Sequence, residues 1–180
     1  MIDKPIITRV WAMPSRWAFT IPPIKDLISK YVGDGKGWVD PFAGEASPAE
    51  ITNDINPERK AGFCLDAHDF VRKLNGIKLN GVLFDPPYSL RQAKEVYENL
   101  GRKFSMRDGQ IVGRWKELKD ELAEKVIEKG IVISCGWNSE GFGKKRGYKL
   151  VELLLVAHGS GHNDTIVTVE QKQTINKRLW

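Results

Sequence analysis

Along the chain, apolar residues gather into short blocks separated by turn-forming residues, and the spacing within each block differs. Ile24, Leu27, Ile28 and Tyr31 recur at helical intervals up to Gly33, which predicts a helix ending there. Seven later blocks are short apolar runs of strand length: "GWVDPFAG", "AEITNDINP", "GFCLDAHDFV", "NGVLFDPPY", "GIVISCGWN", "YKLVELLLVAHG" and "DTIVTVEQK". Between the fourth and fifth, "KELKDELAEKVIEK" changes period. Leu118, Leu122 and Val126 form a four-residue ladder and Glu121 precedes Lys125 by four, the pattern of an amphipathic helix with a solvated charged face. The opening "PIITRVWAMPSRWAFTIPP" is broken by Pro14, Pro22 and Pro23 and reads as an extended, turn-rich entry arm.

Short buried strands joined by loops and helices predict an α/β domain with a mostly parallel sheet. The last two runs are separated only by "GSGHN", which predicts a hairpin and therefore an antiparallel final strand. The 180 residues suit one domain, with residues 1–32 as entry arm and first helix. A net charge of +5 is compatible with a polyanionic partner. Cys64 and Cys135 are too few for a disulfide framework and, each in an apolar context, read as reduced core thiols. No apolar run reaches membrane-spanning length and "MIDKPIITRVW" lacks a signal-peptide core, so a cytoplasmic protein is expected.

In open parallel sheets, ligands collect beyond the carboxyl ends of the strands, and four sequence features fall at such ends. In "VDPFAGEAS", Asp40 closes a strand and Gly44 permits close backbone passage beside a ligand. Neither Gly-x-Gly-x-x-Gly nor Gly-Lys-Ser/Thr is present, against a dinucleotide or phosphate cradle. In "ITNDINPE", Asp54 is placed either to accept both hydroxyls of a ribose or to cap a helix. In "CLDAHDFV", Asp66 or Asp69 either accepts from an adenine amino group or starts the helix at Phe70 to Leu74.

The fourth feature is Asp85-Pro86-Pro87-Tyr88. An amino group conjugated to an aromatic ring is a poor nucleophile, because its lone pair is delocalised. The Asp85 carboxylate and the Pro86 carbonyl can accept its two hydrogens and turn that lone pair outward. The prolines hold the carbonyl in place, and Tyr88 offers a face on which an extracted base can stack.

With "DPFAG" at Asp40 to Gly44 and "DPPY" at Asp85 to Tyr88 in this order, the chain resembles the amino-directed DNA methyltransferases, in particular the adenine enzymes. The segment from Gly130 to Lys172 resembles small phage-associated members. The resemblance implies a Rossmann-like class I methyltransferase fold, S-adenosylmethionine as cofactor and methyl transfer to the N6 amino group of adenine. It implies that Asp40, Pro41, Phe42, Ala43 and Gly44 line the methionine and ribose side of the cofactor. Asp54 would then hold the ribose, Ile55 pack on the adenine, and Asp66 accept from its amino group. "RWAFTIPPI" resembles the segment that closes over the methionine end, with Phe19 and Thr20 as contacts. Two departures stand out. Ala46 occupies a position where glycine is frequent, and about eight residues separate Gly44 from Asn53, where a βαβ crossover needs roughly ten to twelve. The first crossover helix must be a single turn or absent.

Residues 89–117 carry Arg102, Lys103, Arg107, Arg114 and Lys116 amid glycine and polar residues, and read as a basic mobile arm or as a solvated surface. Lys144, Lys145 and Arg146 form a second basic candidate for nucleic-acid contact. His158 and His162 have ligand-like spacing, but without a cysteine or carboxylate cluster a plain hairpin is expected and no metal. Few residues remain for a recognition domain, which predicts short or relaxed sequence specificity. RNA adenine is the competing acceptor, cytosine a weaker one, and an inactive DNA-binding module the competing class.

Overall fold

The computed structural model describes residues 4–101, 111–159 and 161–174. In chain order the elements are β1 (Ile6–Trp11), α1 (Pro22–Val32), β2 (Trp38–Asp40), β3 (Ile51–Thr52), α2 (Ala67–Lys73), β4 (Leu79–Phe84), α3 (Leu90–Asn99), α4 (Ile111–Lys125), β5 (Val126–Gly136), β6 (Tyr148–Ala157) and β7 (Thr165–Lys172). The strands form one sheet in the order β1-β6-β7-β5-β4-β2-β3. Only β7 runs antiparallel to its neighbours, β5 and β6, among these pairings. This is the mostly parallel sheet with an antiparallel last strand that the apolar blocks imply.

Helix α1 begins at Pro22 and Pro23, where the missing amide donors cost nothing, and ends at Gly33 with φ +62°. Its Ile24, Leu27, Ile28 and Val32 bury against Leu83, Ile133, Val156 and Val167 on one face of the sheet. On the other face, Phe70 and Val71 of α2 and Leu118 and Leu122 of α4 pack on Val39, Val82, Phe84 and Val132. Close packing extends to the glycines. A Cβ on Gly81 would lie 2.6 Å from the Trp38 ring, so β4 passes β2 only with glycine there.

Three local expectations are corrected. The entry arm contains a regular strand, β1, which pairs parallel with β6 at the sheet edge. Its apolar side chains gave no burial signal because Ile6, Ile7 and Trp11 remain exposed. The helical ladder stops at Lys125, and Val126 opens β5, whose Lys129 takes φ +62° at a bend. The "GFCLD" block makes no strand, only a bridge between Asn53 and Phe63, because Asp66 already caps α2 at Ala67. Residues 41–50 contain no helix, so the first crossover is a bare loop, as the short spacing from Gly44 to Asn53 allows.

Candidate active site

Strands β2, β3, β4 and β5 run parallel, so their carboxyl ends open on one side. Val39 pairs with Val82 and Phe84 with Ser134, which brings Asp40, Asp85 and the residues after Gly136 to neighbouring exits. A cavity of about 710 Å³ lies at this end, a size suited to a ligand rather than a water cluster. Its wall includes Phe42, Asp54, Ile55 and Asp66 on one side and Asp85 to Tyr88 on the other.

The loop after β2 is held by polar contacts in place of a helix. Asp40 is fully buried. Its Oδ1 accepts from the Phe42 N–H at 2.9 Å, while Oδ2 has no hydrogen-bond partner. Burial raises its carboxyl to about 7, against the Ser47 hydroxyl and the Phe42 amide, and the nearby Asp85 and Asp54 charges raise it further. Asn53 is 1% exposed and, just after β3, ties the end of β2 to the segment that leads into α2. Its side chain donates to Pro41 O at 3.1 Å and Leu65 O at 3.0 Å and accepts from Leu65 N–H at 3.0 Å. The sequence signalled this residue only by an amide beside Asp54.

Asp54 does not cap a helix. Its carboxylate accepts from Gly44 N–H at 3.0 Å and Asn56 N–H at 2.8 Å, fixing the glycine at φ +55° while the residue lines the cavity. Asp66 does cap α2, accepting from His68 N–H at 3.0 Å, and also accepts from the Tyr97 hydroxyl at 3.2 Å. Of the two roles weighed for Asp66, the helix start is the one seen, and the residue also lines the cavity. Asp69 instead pairs with Arg72 on the exposed side of α2.

At the end of β4, the Tyr88 hydroxyl donates to Asp85 Oδ1. Burial raises the Asp85 carboxyl to about 6, and the Tyr88 hydrogen bond opposes that rise. Burial and the adjacent carboxylate push the Tyr88 phenol well up, so it remains a neutral donor. Cys135 is likewise pushed up by burial and by Asp85 and Asp40 and stays a neutral core group, whereas Cys64, expected in the core, is exposed because its block forms a loop before α2. The loop is anchored by α3, an element expected to be mobile. Ser89 caps α3 by accepting from Gln92 N–H at 3.2 Å, and Gln92 Oε1 accepts from Tyr88 N–H at 2.7 Å.

The entry arm reaches the cavity through different residues from those expected. Phe19 is turned into the core by the short turn at Ala18–Thr20, and the Thr20 hydroxyl donates to Trp17 O at 2.8 Å. Trp17 lines the cavity instead and lies over Gly44, where a Cβ would come 2.6 Å from its ring. The guanidinium groups of Arg16 and Arg59 lie 5.2 and 4.9 Å from its centroid, and Arg59 also pairs with Glu45. Ala43 and Gly44 face a second, smaller groove behind the loop.

The described basic candidates are not gathered at this site. Arg102, Lys103 and Arg107 lie outside the described residues, as does the side chain of Arg114. Lys144, Lys145 and Arg146 precede β6, whose Tyr148 pairs with Lys172 at the end of the sheet opposite the cavity. Arg146 is committed to Asp120 at 2.6 Å and to Phe142 O at 2.8 Å, a structural tie between α4 and this loop. His158 lies against the cavity but bonds Ala12 O at 2.8 Å and Thr165 Oγ1 at 2.9 Å, joining β1 to the hairpin. No group of three or more metal-ligating side chains occurs among the described residues, and no described helix is long and apolar enough to cross a membrane.

No family signature matches the chain, and no curated protein matches it in sequence. Solved structures do resemble it. A candidate SAM-dependent methyltransferase from Streptococcus mutans superposes with a TM-score of 0.55 at 14% identity, over 83% of this chain and 48% of that one. TrmN from Thermus thermophilus gives 0.52 at 15% identity, over 87% and 50%. The candidate methyltransferase YhhF from Escherichia coli gives 0.53 at 10% identity, over 90% and 92%. The chain thus spans about half the length of the first two and nearly all of the third. At these identities the likeness is one of fold: the chain has the Rossmann-like methyltransferase fold.

Proposed function

We propose that the protein is an S-adenosylmethionine-dependent methyltransferase acting on the N6 amino group of adenine in DNA, with short or relaxed sequence specificity. The observation that carries this reading is the meeting of Asp85-Pro86-Pro87-Tyr88 with Pro41 and Phe42 of the Asp40–Gly44 loop at adjacent strand ends around one cavity. The residues present fit the cofactor. Asp40 presents a buried oxygen without a partner, Asp54 and Asp66 stand on the wall as acceptors, and the aromatic faces of Trp17 and Phe42 lie beside them. The carboxylates also suit a ligand carrying positive charge. A complex of SMU.776, a fold neighbour with a TM-score of 0.56 and 14% identity over 83% of this chain and 48% of that one, contains SAH in a methyltransferase fold.

When bound, the cofactor supplies an electrophilic methyl group on a sulfonium. The chain's part is to prepare the nucleophile. Asp85 and the Pro86 carbonyl accept the two amine hydrogens, which draws the nitrogen toward tetrahedral geometry and aims its lone pair at the methyl group. Asp85 must be ionised to do so, and at neutral pH it largely is. The Tyr88 hydroxyl occupies one acceptor site on Asp85, and the arriving amine takes its place. Adenine within a duplex cannot reach this position, so the base enters extruded or unpaired.

The deciding experiment is incubation with labelled S-adenosylmethionine and unmodified DNA or RNA, followed by nucleoside analysis. Labelled N6-methyladenine from DNA is the expected product. Label appearing only in RNA would move the substrate assignment, and no label in either nucleic acid would refute it.

A further inference from the structure

Trp137 follows the last residue of β5, directly beside β4. Continuing the Phe84–Ser134 register carries it alongside the prolines of the Asp85–Tyr88 loop. Its ring meets that of Tyr88 near edge-on, with centroids 5.6 Å apart and planes at 65°. Trp137 nevertheless remains 42% exposed, and it lines the cavity. An indole left open at a cavity mouth forgoes a large burial energy, and a planar ligand covering it would recover that energy.

We propose that Trp137 and Tyr88 form an aromatic cleft that receives an unpaired purine with its amino edge directed at Asp85. This inference rests on the reading of the site as a nucleic-acid amine methyltransferase. The steep angle between the rings gives the cleft one stacking surface and one wall: a base lying flat on one ring turns its own edge toward the face of the other. Edge-to-face and stacked contacts are both favourable for aromatic groups. Such a cleft recognises a π-face more than a pattern of hydrogen bonds, so it holds the base without reading its neighbours. Trp137 is thus assigned as a substrate-binding residue distinct from the cofactor loop.

The test compares Trp137→Ala and Trp137→Phe with the unaltered protein. Cofactor Kd is measured by calorimetry, and kcat and KM are measured on a single-stranded adenine-containing oligonucleotide. Fluorescence is recorded on oligonucleotides whose adenines are replaced one at a time by 2-aminopurine. Trp137→Ala is expected to raise KM for the oligonucleotide roughly 5- to 150-fold, the value of one base–aromatic stack. Cofactor Kd should stay unchanged, 2-aminopurine quenching should disappear, and Trp137→Phe should restore most of both. An unchanged oligonucleotide KM in Trp137→Ala overturns the proposal, and so does an equal loss of cofactor affinity, which would mark a structural role. Failure of the unaltered protein to methylate any nucleic acid would instead remove the parent reading.

Discussion

Replacing Asp40 by asparagine probes the cofactor loop at its most costly point. The carboxyl is fully buried, one of its oxygens lacks a hydrogen-bond partner, and its pKa is raised from 3.8 to about 7. In the unfolded chain this group loses its proton near pH 4, whereas the folded chain holds it until near pH 7. Between those values the folded state binds more protons, so stability falls as pH rises. At 1.36 kcal/mol for each pH unit, the loss accumulated across the window is about 4 kcal/mol. Asparagine keeps the acceptor for the Phe42 amide and carries no charge. Urea unfolding of both proteins at pH 4.5, 6 and 8 isolates the effect, because the remaining ionisable groups are shared. The variant is expected to gain on the unaltered protein by a few kcal/mol between pH 4.5 and 8, and to lose cofactor affinity over the same range. Unfolding free energies that track in parallel would refute the assignment of a buried, reluctant carboxylate to Asp40.

Asp85→Ala is expected to lower single-turnover methyl transfer by about a thousandfold while cofactor Kd stays within about twofold, since the carboxylate acts on the acceptor amine. Retained turnover would exclude that role. Tyr88→Phe removes the donor that opposes the rise of the Asp85 pKa. The ascending limb of kcat/KM against pH, centred near 6 in the unaltered protein, should therefore move to higher pH, and a fixed limb would show that Asp85 does not govern it. Asp54→Ala strips an acceptor from the Gly44 and Asn56 amides. It should cost about 1–3 kcal/mol of stability in addition to weakening cofactor binding; an unchanged Kd by calorimetry would contradict the ribose assignment.

Where burial and periodicity coincide, the fold was legible. Val82, Leu83 and Phe84 announce β4 because both their faces are covered, and Ile24, Leu27 and Ile28 announce α1 because one face is. Strand β1 escaped notice for the converse reason. Its backbone pairs with β6, but Ile6, Ile7 and Trp11 bury little, so pairing without burial leaves no hydrophobic signature. The helix-to-strand boundary at Lys125 was obscured because Val126 completes the α4 ladder and also begins a buried strand. At the site, acids at strand ends could be read because the chemistry needs a carboxylate there. Asn53, Gln92, Trp17 and Trp137 could not, because their roles depend on which loops the fold brings together.

The bare first crossover bears on ligand charge. A helix starting at a cofactor loop would turn a positive N-terminus toward the ligand and favour an anion. Here no helix begins between Asp40 and Thr52, and Asn53, Asp54 and Trp17 brace the loop instead. The cavity then meets Asp54, Asp66 and Asp85 with Asp40 buried beside them, and Arg16 and Arg59 stand as the arginines on its wall. Burial is the first cause of the upward shifts of Asp40 and Asp85, and at Asp40 repulsion from the Asp85 and Asp54 charges adds to it. A cation entering the cavity relieves that repulsion and a phosphate aggravates it. A cofactor loop without a crossover helix therefore suits the positively charged ligand of the proposed function better than an anionic one. The pH-dependent instability at Asp40 comes first from burial of its carboxyl, and the repulsion that a bound cation would relieve is the smaller part of it.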